Sequence, residues 1–209
     1  MITTFGLPRE QPSRLQYFFQ MRLTTLIPLL LLASACAAPS FNGVVLDPPE
    51  AAPALSLADS SGVPFSLAAQ RGKVVLVFFG YTHCPDICPT TLLDWKRSAD
   101  SLGRAARDVR FVFVSVDPER DTPALVQRYT ARIHPDFIGL TGSRPQVDAL
   151  MQTWKVAAFR DDAGRDTSTA YTVSHPSQVF VIDRDGQFRL LHRAGMTPAQ
   201  ITSDIRALL

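Results

Sequence analysis

Continuous apolar runs alternate with helically spaced apolar residues through the middle of this chain. Two runs, residues 74–79 and 110–116, are almost entirely apolar, which is typical of strands covered on both faces. Between them, in residues 90–107, the apolar side chains recur at helical spacing. The same criteria predict three further elements, which are a helix at about 121–133, a short strand at 137–140 and a helix at 144–154.

The C-terminal part of the chain has the pattern of a hairpin followed by a helix. Strand-like residues 178–182 and 187–192 flank a turn that contains Asp185-Gly186, a pair typical of hairpin turns. A closing helix is predicted from Thr197 to Leu208. The order strand, helix, strand, helix, hairpin, helix predicts an α/β, thioredoxin-like fold with a central mixed sheet flanked by helices.

The N-terminal region resembles an export signal. An apolar stretch at residues 23–35 follows Met21 and ends in small residues before Cys36, and it is shorter than the ~20 residues that a spanning helix needs. We therefore predict a signal peptide over residues 1–35, with Met21 as the better translation start. The small residues before Cys36 resemble a bacterial lipobox, which predicts lipidation of Cys36; the alternative is an ordinary signal or an uncleaved anchor.

Residues 36–53 are rich in alanine and proline, a composition that suits an extended tether. We expect a lipid anchor and tether over residues 36–53, and a folded domain over residues 54–209 that begins with a strand at 54–57. The protein is then expected to be a membrane-anchored lipoprotein of the bacterial cell envelope that faces the periplasm or the extracytoplasmic side.

The charge balance gives no sign of a nucleic-acid partner. The chain has 21 basic and 19 acidic residues, and residues 1–35 contain three of the basic and one of the acidic ones. The remaining chain is close to neutral and has no basic stripe, so nucleic-acid binding is not expected.

Cys84 and Cys88 lie where the strand at 74–79 is predicted to lead into the next helix. The N-terminal end of a helix favours the thiolate form of cysteine. Residues four apart on a helical turn share one face, so both sulfurs could meet one ion, and thiolates select Cu(I) and zinc. The same pair could close to a disulfide outside the cytoplasm. A soft-metal clamp and a redox pair both remain open.

Three blocks of sequence resemble the Sco/SenC copper-chaperone family. They occur in the expected order and are FGYTHCPDICPTTL (79–92), VSVDPERDTP (114–123) and YTVSH (171–175). Weaker similarity covers nearly all of residues 54–209. The sequence departs from the family pattern at Ser174, where many members have an acidic residue, and at Pro176, where small residues are usual.

The resemblance implies a membrane-tethered, thioredoxin-like protein that binds copper through Cys84, Cys88 and His175. Two thiolates and one imidazole suit Cu(I), and the imidazole also suits Cu(II). The implied role is the assembly of cytochrome c oxidase, with its copper-bearing subunit or another copper chaperone as partner. The alternative is a thiol–disulfide oxidoreductase that cycles a Cys84–Cys88 disulfide and keeps the oxidase cysteines reduced. A thiol peroxidase is disfavoured because the remaining cysteine, Cys36, is assigned to the lipid and no peroxidase motif is apparent.

The other polar residues near these blocks receive simpler interpretations. His83 is expected to point away from the cysteines and not to bind metal. Asp86 is interpreted as a helix cap or as a group that tunes the thiol pKa. Loop termination and helix capping are preferred for Asp117 and Asp121 over an acid–base pair. No functional role is expected for two further histidines, His134 and His192.

Overall fold

The computed structural model describes residues 40–161 and 171–209. The predicted signal peptide, the lipidation site Cys36 and the first residues of the predicted tether lie outside these ranges.

The domain is built on a mixed six-stranded sheet. The strand order is β1-β10-β9-β4-β5-β6, with β4, β5 and β6 parallel and the other neighbours antiparallel. The sheet strands are β1 (Val44–Ala51), β4 (Val74–Gly80), β5 (Val109–Ser115), β6 (Ile138–Leu140), β9 (Val179–Ile182) and β10 (Gln187–His192). Two small hairpins are separate from it, β2 (Ser56–Ala58) with β3 (Pro64–Ser66), and β7 (Phe159–Asp161) with β8 (Thr172–Ser174).

The central strands and the C-terminal hairpin confirm the apolar pattern. Every residue of β4 is buried, and β5 is buried except at Arg110, because both strands lie inside the sheet. The predicted hairpin forms as β9 and β10, and its turn is closed by the Asp183 side chain, which accepts two backbone N–H groups.

Within the described residues, four α-helices flank the sheet: α1 (Ile87–Leu102), α2 (Pro123–Ile133), α3 (Arg144–Thr153) and α4 (Pro198–Leu208). The single helix predicted over residues 90–107 is wrong in its second part, since α1 ends before Gly103 and a 3-10 helix follows. Gly103 has a positive φ of 59°, a conformation that glycine adopts without strain. Thr122 caps α2 by accepting the Leu125 N–H, so Asp121 has another role.

The predicted tether is wrong where it overlaps β1. Val44–Ala51 forms an edge strand that pairs with β10, with an interrupted register between Val45 and Glu50. The interruption holds Pro48 and Pro49, which edge strands and bulges tolerate because no ladder N–H is needed there. The folded domain therefore begins ahead of residue 54, and the strand expected at 54–57 lies at Ser56–Ala58.

A buried carboxylate joins the start of β1 to the C-terminal helix. The Asp204 side chain is 0% exposed and accepts hydrogen bonds from the backbone N–H groups of Asn42 (2.7 Å) and Gly43 (2.9 Å) and from the Asn42 side chain (2.9 Å). The His192 Nε2–H donates to the same carboxylate at 3.0 Å, and burial lowers the His192 pKa. A Cβ at Gly43 would lie 2.9 Å from the His192 ring, so only glycine allows this approach. His192, for which no functional role is predicted, therefore contributes to the fold through this contact.

Within residues 40–161 and 171–209, the helices are too short or too polar to cross a bilayer.

Asp204→Asn is expected to lower the free energy of unfolding by about 2–3 kcal/mol, since hydrogen bonds to a charged acceptor contribute ~1.5–3 kcal/mol and the amide can accept on one side only. Urea denaturation measures the change. Ser203→Ala, an exposed change in the same helix, is the matched control and should stay within about 0.5 kcal/mol. Equal stability of the Asn variant and the parent would show that the carboxylate contributes nothing.

Candidate metal centre

The two cysteines lie on the turn that connects β4 to α1. The Cys84 N–H donates to the Tyr81 carbonyl at 3.2 Å, which closes the turn. Cys84 precedes α1, whereas Cys88 lies in its first turn, so the expectation that both share one helical face is wrong. The sulfurs meet because the Cys88 N–H donates to the Cys84 Sγ at 3.4 Å. Cys84 thus takes the capping role considered for Asp86, whose side chain makes no capping bond.

Gly80 at the end of β4 makes room for the inner sulfur. Cys88 is fully buried, and a Cβ at residue 80 would lie 2.7 Å from its Sγ and 2.8 Å from the Phe113 ring. No real Cβ tolerates such contacts, so any larger residue would displace the sulfur or the ring. The last residue of β4 is therefore fixed by the space that Cys88 needs.

His175 reaches the cysteines from the separate β7–β8 hairpin. It follows β8 directly, and its Nε2 lies 3.5 Å from the Cys88 Sγ across 87 residues of chain. The ligand atoms of Cys84, Cys88 and His175 all lie within 4.8 Å of one another. Among the described residues, no other group of three His, Cys, Asp or Glu side chains is close enough to hold a metal ion.

The His175 ring is oriented for metal binding. Its Nδ1 lies 3.0 Å from the Pro176 carbonyl oxygen, which can only accept, so Nδ1 carries the proton. The Nε2 lone pair of the neutral ring then faces the sulfurs. The rings of Tyr81 and Phe78 pack edge-on against the imidazole, with centroid distances of 5.7 and 5.9 Å. A backbone carbonyl thus orients the ligand where Ser174 replaces an acidic residue.

The two thiols have opposite pKa shifts. The hydrogen bond from the Cys88 thiol lowers the Cys84 pKa to about 4, and the backbone N–H groups of Asp86 and Cys88 act in the same direction against burial. Burial raises the Cys88 pKa above its ordinary value, and the neighbouring Cys84 adds to the rise. The thiolate form is therefore favoured at Cys84 by its hydrogen bonds and disfavoured at Cys88 by burial.

Asp121 holds the cysteine turn in place. Its buried carboxylate accepts the Thr82 N–H at 2.8 Å, the Thr82 hydroxyl at 2.5 Å and the Ser115 hydroxyl at 2.6 Å. The His83 ring is half exposed and lies 3.7 Å from this carboxylate, outside the group of possible ligands. The loop-and-cap interpretation of Asp121 is wrong, because every one of these bonds links it to the strand ends around the site.

Asp117 is the second buried carboxylate that the sequence interpretation missed. It is 1% exposed, accepts the Tyr171 hydroxyl at 2.7 Å and pairs with Arg120 at 2.6 Å. The signal available in the sequence was two aspartates four apart directly after a buried strand, inside the second block of family resemblance.

His134 lies away from the site and stacks on Phe137.

The donor set defines what the site can hold. Two sulfurs and one imidazole nitrogen favour soft or borderline ions such as Cu(I), Cu(II) and zinc. Three protein ligands leave a coordination position for an incoming group, as metal sites that exchange ligands require.

Comparison with known protein families gives a match over most of the chain. The SCO1/SenC family model matches residues 46–209. The "SCO2-like protein" of Rickettsia felis is 36% identical over 132 residues, which cover 63% of this chain and 64% of that protein, so the chain matches less than two thirds of that relative. A "Putative copper-binding protein" of Stutzerimonas stutzeri is 35% identical over 173 residues, covering 77% of this chain and 83% of that one.

Solved structures of Sco proteins have the same fold. Apo Sco1 from Thermus thermophilus superposes with a TM-score of 0.74 at 38% identity, covering 83% of this chain and 99% of that chain. ScoI from Bradyrhizobium japonicum with copper bound gives a TM-score of 0.68 at 33% identity, covering 75% and 98%. The thioredoxin-like prediction is confirmed by this similarity. With the family model matching residues 46–209, the chain belongs to the SCO1/SenC family.

Proposed function

We propose that this protein is a copper metallochaperone that carries one copper ion on Cys84, Cys88 and His175 for the assembly of cytochrome c oxidase. The observation that carries the proposal is the convergence of the three ligand atoms within 4.8 Å. The ScoI relative solved with copper bound supports copper as the cargo, and family membership supports oxidase assembly as the setting. The copper-bearing subunit of the oxidase, or another copper chaperone, is the proposed partner.

The site suits an ion that must be bound and then released. The sulfurs favour Cu(I), and the imidazole adds affinity for Cu(II), so the site can hold either oxidation state. Cys84 is already a thiolate near neutral pH, so copper binding mainly displaces the proton of Cys88. His175 is partly buried and Cys88 is fully buried, so a ligand from a partner would reach the ion from the His175 side.

We also propose that the domain is attached to the membrane of the bacterial cell envelope through a lipid on Cys36. The support is the sequence alone, namely a short apolar stretch and small residues directly before the cysteine. Attachment would keep the copper site close to a membrane-bound oxidase.

The reduced protein is expected to bind one Cu(I) tightly in an anaerobic titration against a competing chelator. Cys84→Ser or Cys88→Ser should lower the Cu(I) affinity by more than ~10–100-fold, which is the usual loss when a residue that only orients a ligand is removed. His175→Ala should weaken Cu(II) binding more than Cu(I) binding, because the imidazole is the ligand better suited to Cu(II).

His83→Ala is the matched control for this titration, because His83 neighbours Cys84 but lies outside the ligand group. Its copper affinities should equal those of the parent. Binding that survives both serine changes, or that is indifferent to His175, would overturn the metallochaperone proposal.

A second candidate function, thiol–disulfide exchange, has its own support. Cys84 accepts the Cys88 N–H at the start of α1, whereas Cys88 is buried beside it. Cys84 thiolate could attack a disulfide of the oxidase and release one partner thiolate. Cys88 would then resolve the mixed disulfide, leaving the partner reduced and Cys84–Cys88 oxidised, with two electrons transferred. A separate thiol reductant would have to restore the pair.

Alkylation of Cys84 should be almost independent of pH between 6 and 8, because a pKa of about 4 keeps it as thiolate throughout. A free cysteine, with a pKa near 8.5, loses reactivity on the order of 100-fold over the same range. The rate of iodoacetamide labelling at Cys84, followed by mass spectrometry, measures this. In Cys88→Ala the pH dependence should return, because the hydrogen bond from the Cys88 thiol, which contributes most to the low Cys84 pKa, is lost. A parent rate that falls with pH like that of free cysteine would contradict the assignment.

A further inference from the structure

His175 is held by a segment that is separate from the main sheet. The His arm, residues 159–161 and 171–175, consists of β7, β8 and the histidine that follows them. It pairs with no strand of the six-stranded sheet. The position of the third ligand therefore depends on side-chain contacts between the arm and the body of the domain.

Tyr171 makes several of these contacts. Its ring is 9% exposed, with the Arg120 guanidinium 3.5 Å and the Arg160 guanidinium 4.0 Å from the ring centroid. Its hydroxyl donates to the Asp117 carboxylate at 2.7 Å, and its carbonyl oxygen accepts from Arg120 at 2.9 Å. Both the ring and the backbone of Tyr171 are thus fixed to the loop that follows β5.

The anchor for Tyr171 is itself buried and paired with an arginine. Asp117 is 1% exposed, and its other carboxylate oxygen accepts the Arg120 Nε–H at 2.6 Å. The charges of Asp117 and Arg120 compensate each other. Without the Tyr171 hydroxyl, one oxygen of the buried carboxylate would lose its hydrogen-bond donor, which is energetically costly. Tyrosine is therefore required here for its hydroxyl as well as for its packing.

The same chain of bonds reaches the cysteine turn. The Asp117 N–H donates to the Ser115 hydroxyl at 3.1 Å, and that hydroxyl donates to Asp121, which holds Thr82 beside the cysteines. A continuous set of buried hydrogen bonds therefore connects the loop carrying the two sulfurs to the arm carrying the imidazole. This arrangement fixes the distance between the two halves of the site.

We infer that Tyr171, held by Asp117 and Arg120, is a positioning residue that sets the His175 imidazole against the two sulfurs. This inference rests on the proposed copper site. Tyr171 is not one of the three ligands and acts through His175. Loss of the Tyr171 hydroxyl should loosen the His arm but leave it attached to the domain. Tyr81 still packs against His175 and still forms a hydrogen bond with the Val173 backbone.

The test is Tyr171→Phe, with Cu(I) and Cu(II) affinities measured separately by competition. Because the imidazole suits Cu(II) while the thiolates dominate Cu(I) binding, Cu(II) affinity should fall about 10–100-fold and Cu(I) affinity should change less than about threefold. Tyr129→Phe is the matched control, since the buried Tyr129 hydroxyl has no hydrogen-bond partner within the described chain. It should leave both affinities unchanged.

A double-mutant cycle with His175→Ala separates positioning from general destabilisation. If Tyr171 acts through His175, adding Tyr171→Phe to His175→Ala should change Cu(II) affinity by less than about threefold. A loss of the same size in both backgrounds would overturn the inference. Failure of the parent itself to bind copper would instead overturn the proposed function, so the two failures are distinguishable.

A metal-free measurement completes the test. In ¹⁵N NMR spectra of the reduced protein, the parent His175 should have Nδ1 protonated and Nε2 bare, as the Pro176 carbonyl dictates. Tyr171→Phe should give a mixture of tautomers, whereas Tyr129→Phe should keep the parent pattern. An unchanged His175 tautomer together with unchanged Cu(II) affinity in Tyr171→Phe would exclude the positioning role.

Discussion

The metal centre depends on the close approach between the end of β4 and the first turn of α1. Gly80 leaves space for the Cys88 sulfur, and the backbone N–H of Cys88 donates to the Cys84 sulfur. This contact brings the two buried sulfurs together. The Cys88 thiol then lowers the Cys84 pKa, whereas burial raises the pKa of Cys88. Copper binding and disulfide exchange would use the same pair, so they are exclusive states of one site.

Most of the fold could be predicted because its apolar runs have a single explanation. A run such as residues 74–79 has no polar face, so it must lie between covering layers, and it does. The edge strand Val44–Ala51 could not be predicted in this way, since alanine and proline suit a tether as well as an edge. Its place is decided by long-range pairing with β10 and by the Asp204 carboxylate, neither of which leaves a local signal.

The candidate site was predictable to different degrees for its different parts. The spacing of Cys84 and Cys88 marks them in the sequence alone, whereas His175 was identified only by family resemblance, because tertiary packing brings it across 87 residues. The roles of Asp117 and Asp121 were missed. An aspartate beside a proline or threonine is usually a surface cap, and only the folded structure reveals that these two are buried and bonded to both halves of the site.

The central claim is that Cys84, Cys88 and His175 bind one copper ion together. X-ray absorption spectroscopy of the copper-loaded protein tests it most directly, because it counts the sulfur and nitrogen neighbours of the metal. We expect two sulfur atoms and one imidazole nitrogen at each copper, with the nitrogen lost in His175→Ala and one sulfur lost in Cys84→Ser. A copper environment without sulfur, or one that is unchanged in both variants, would contradict it.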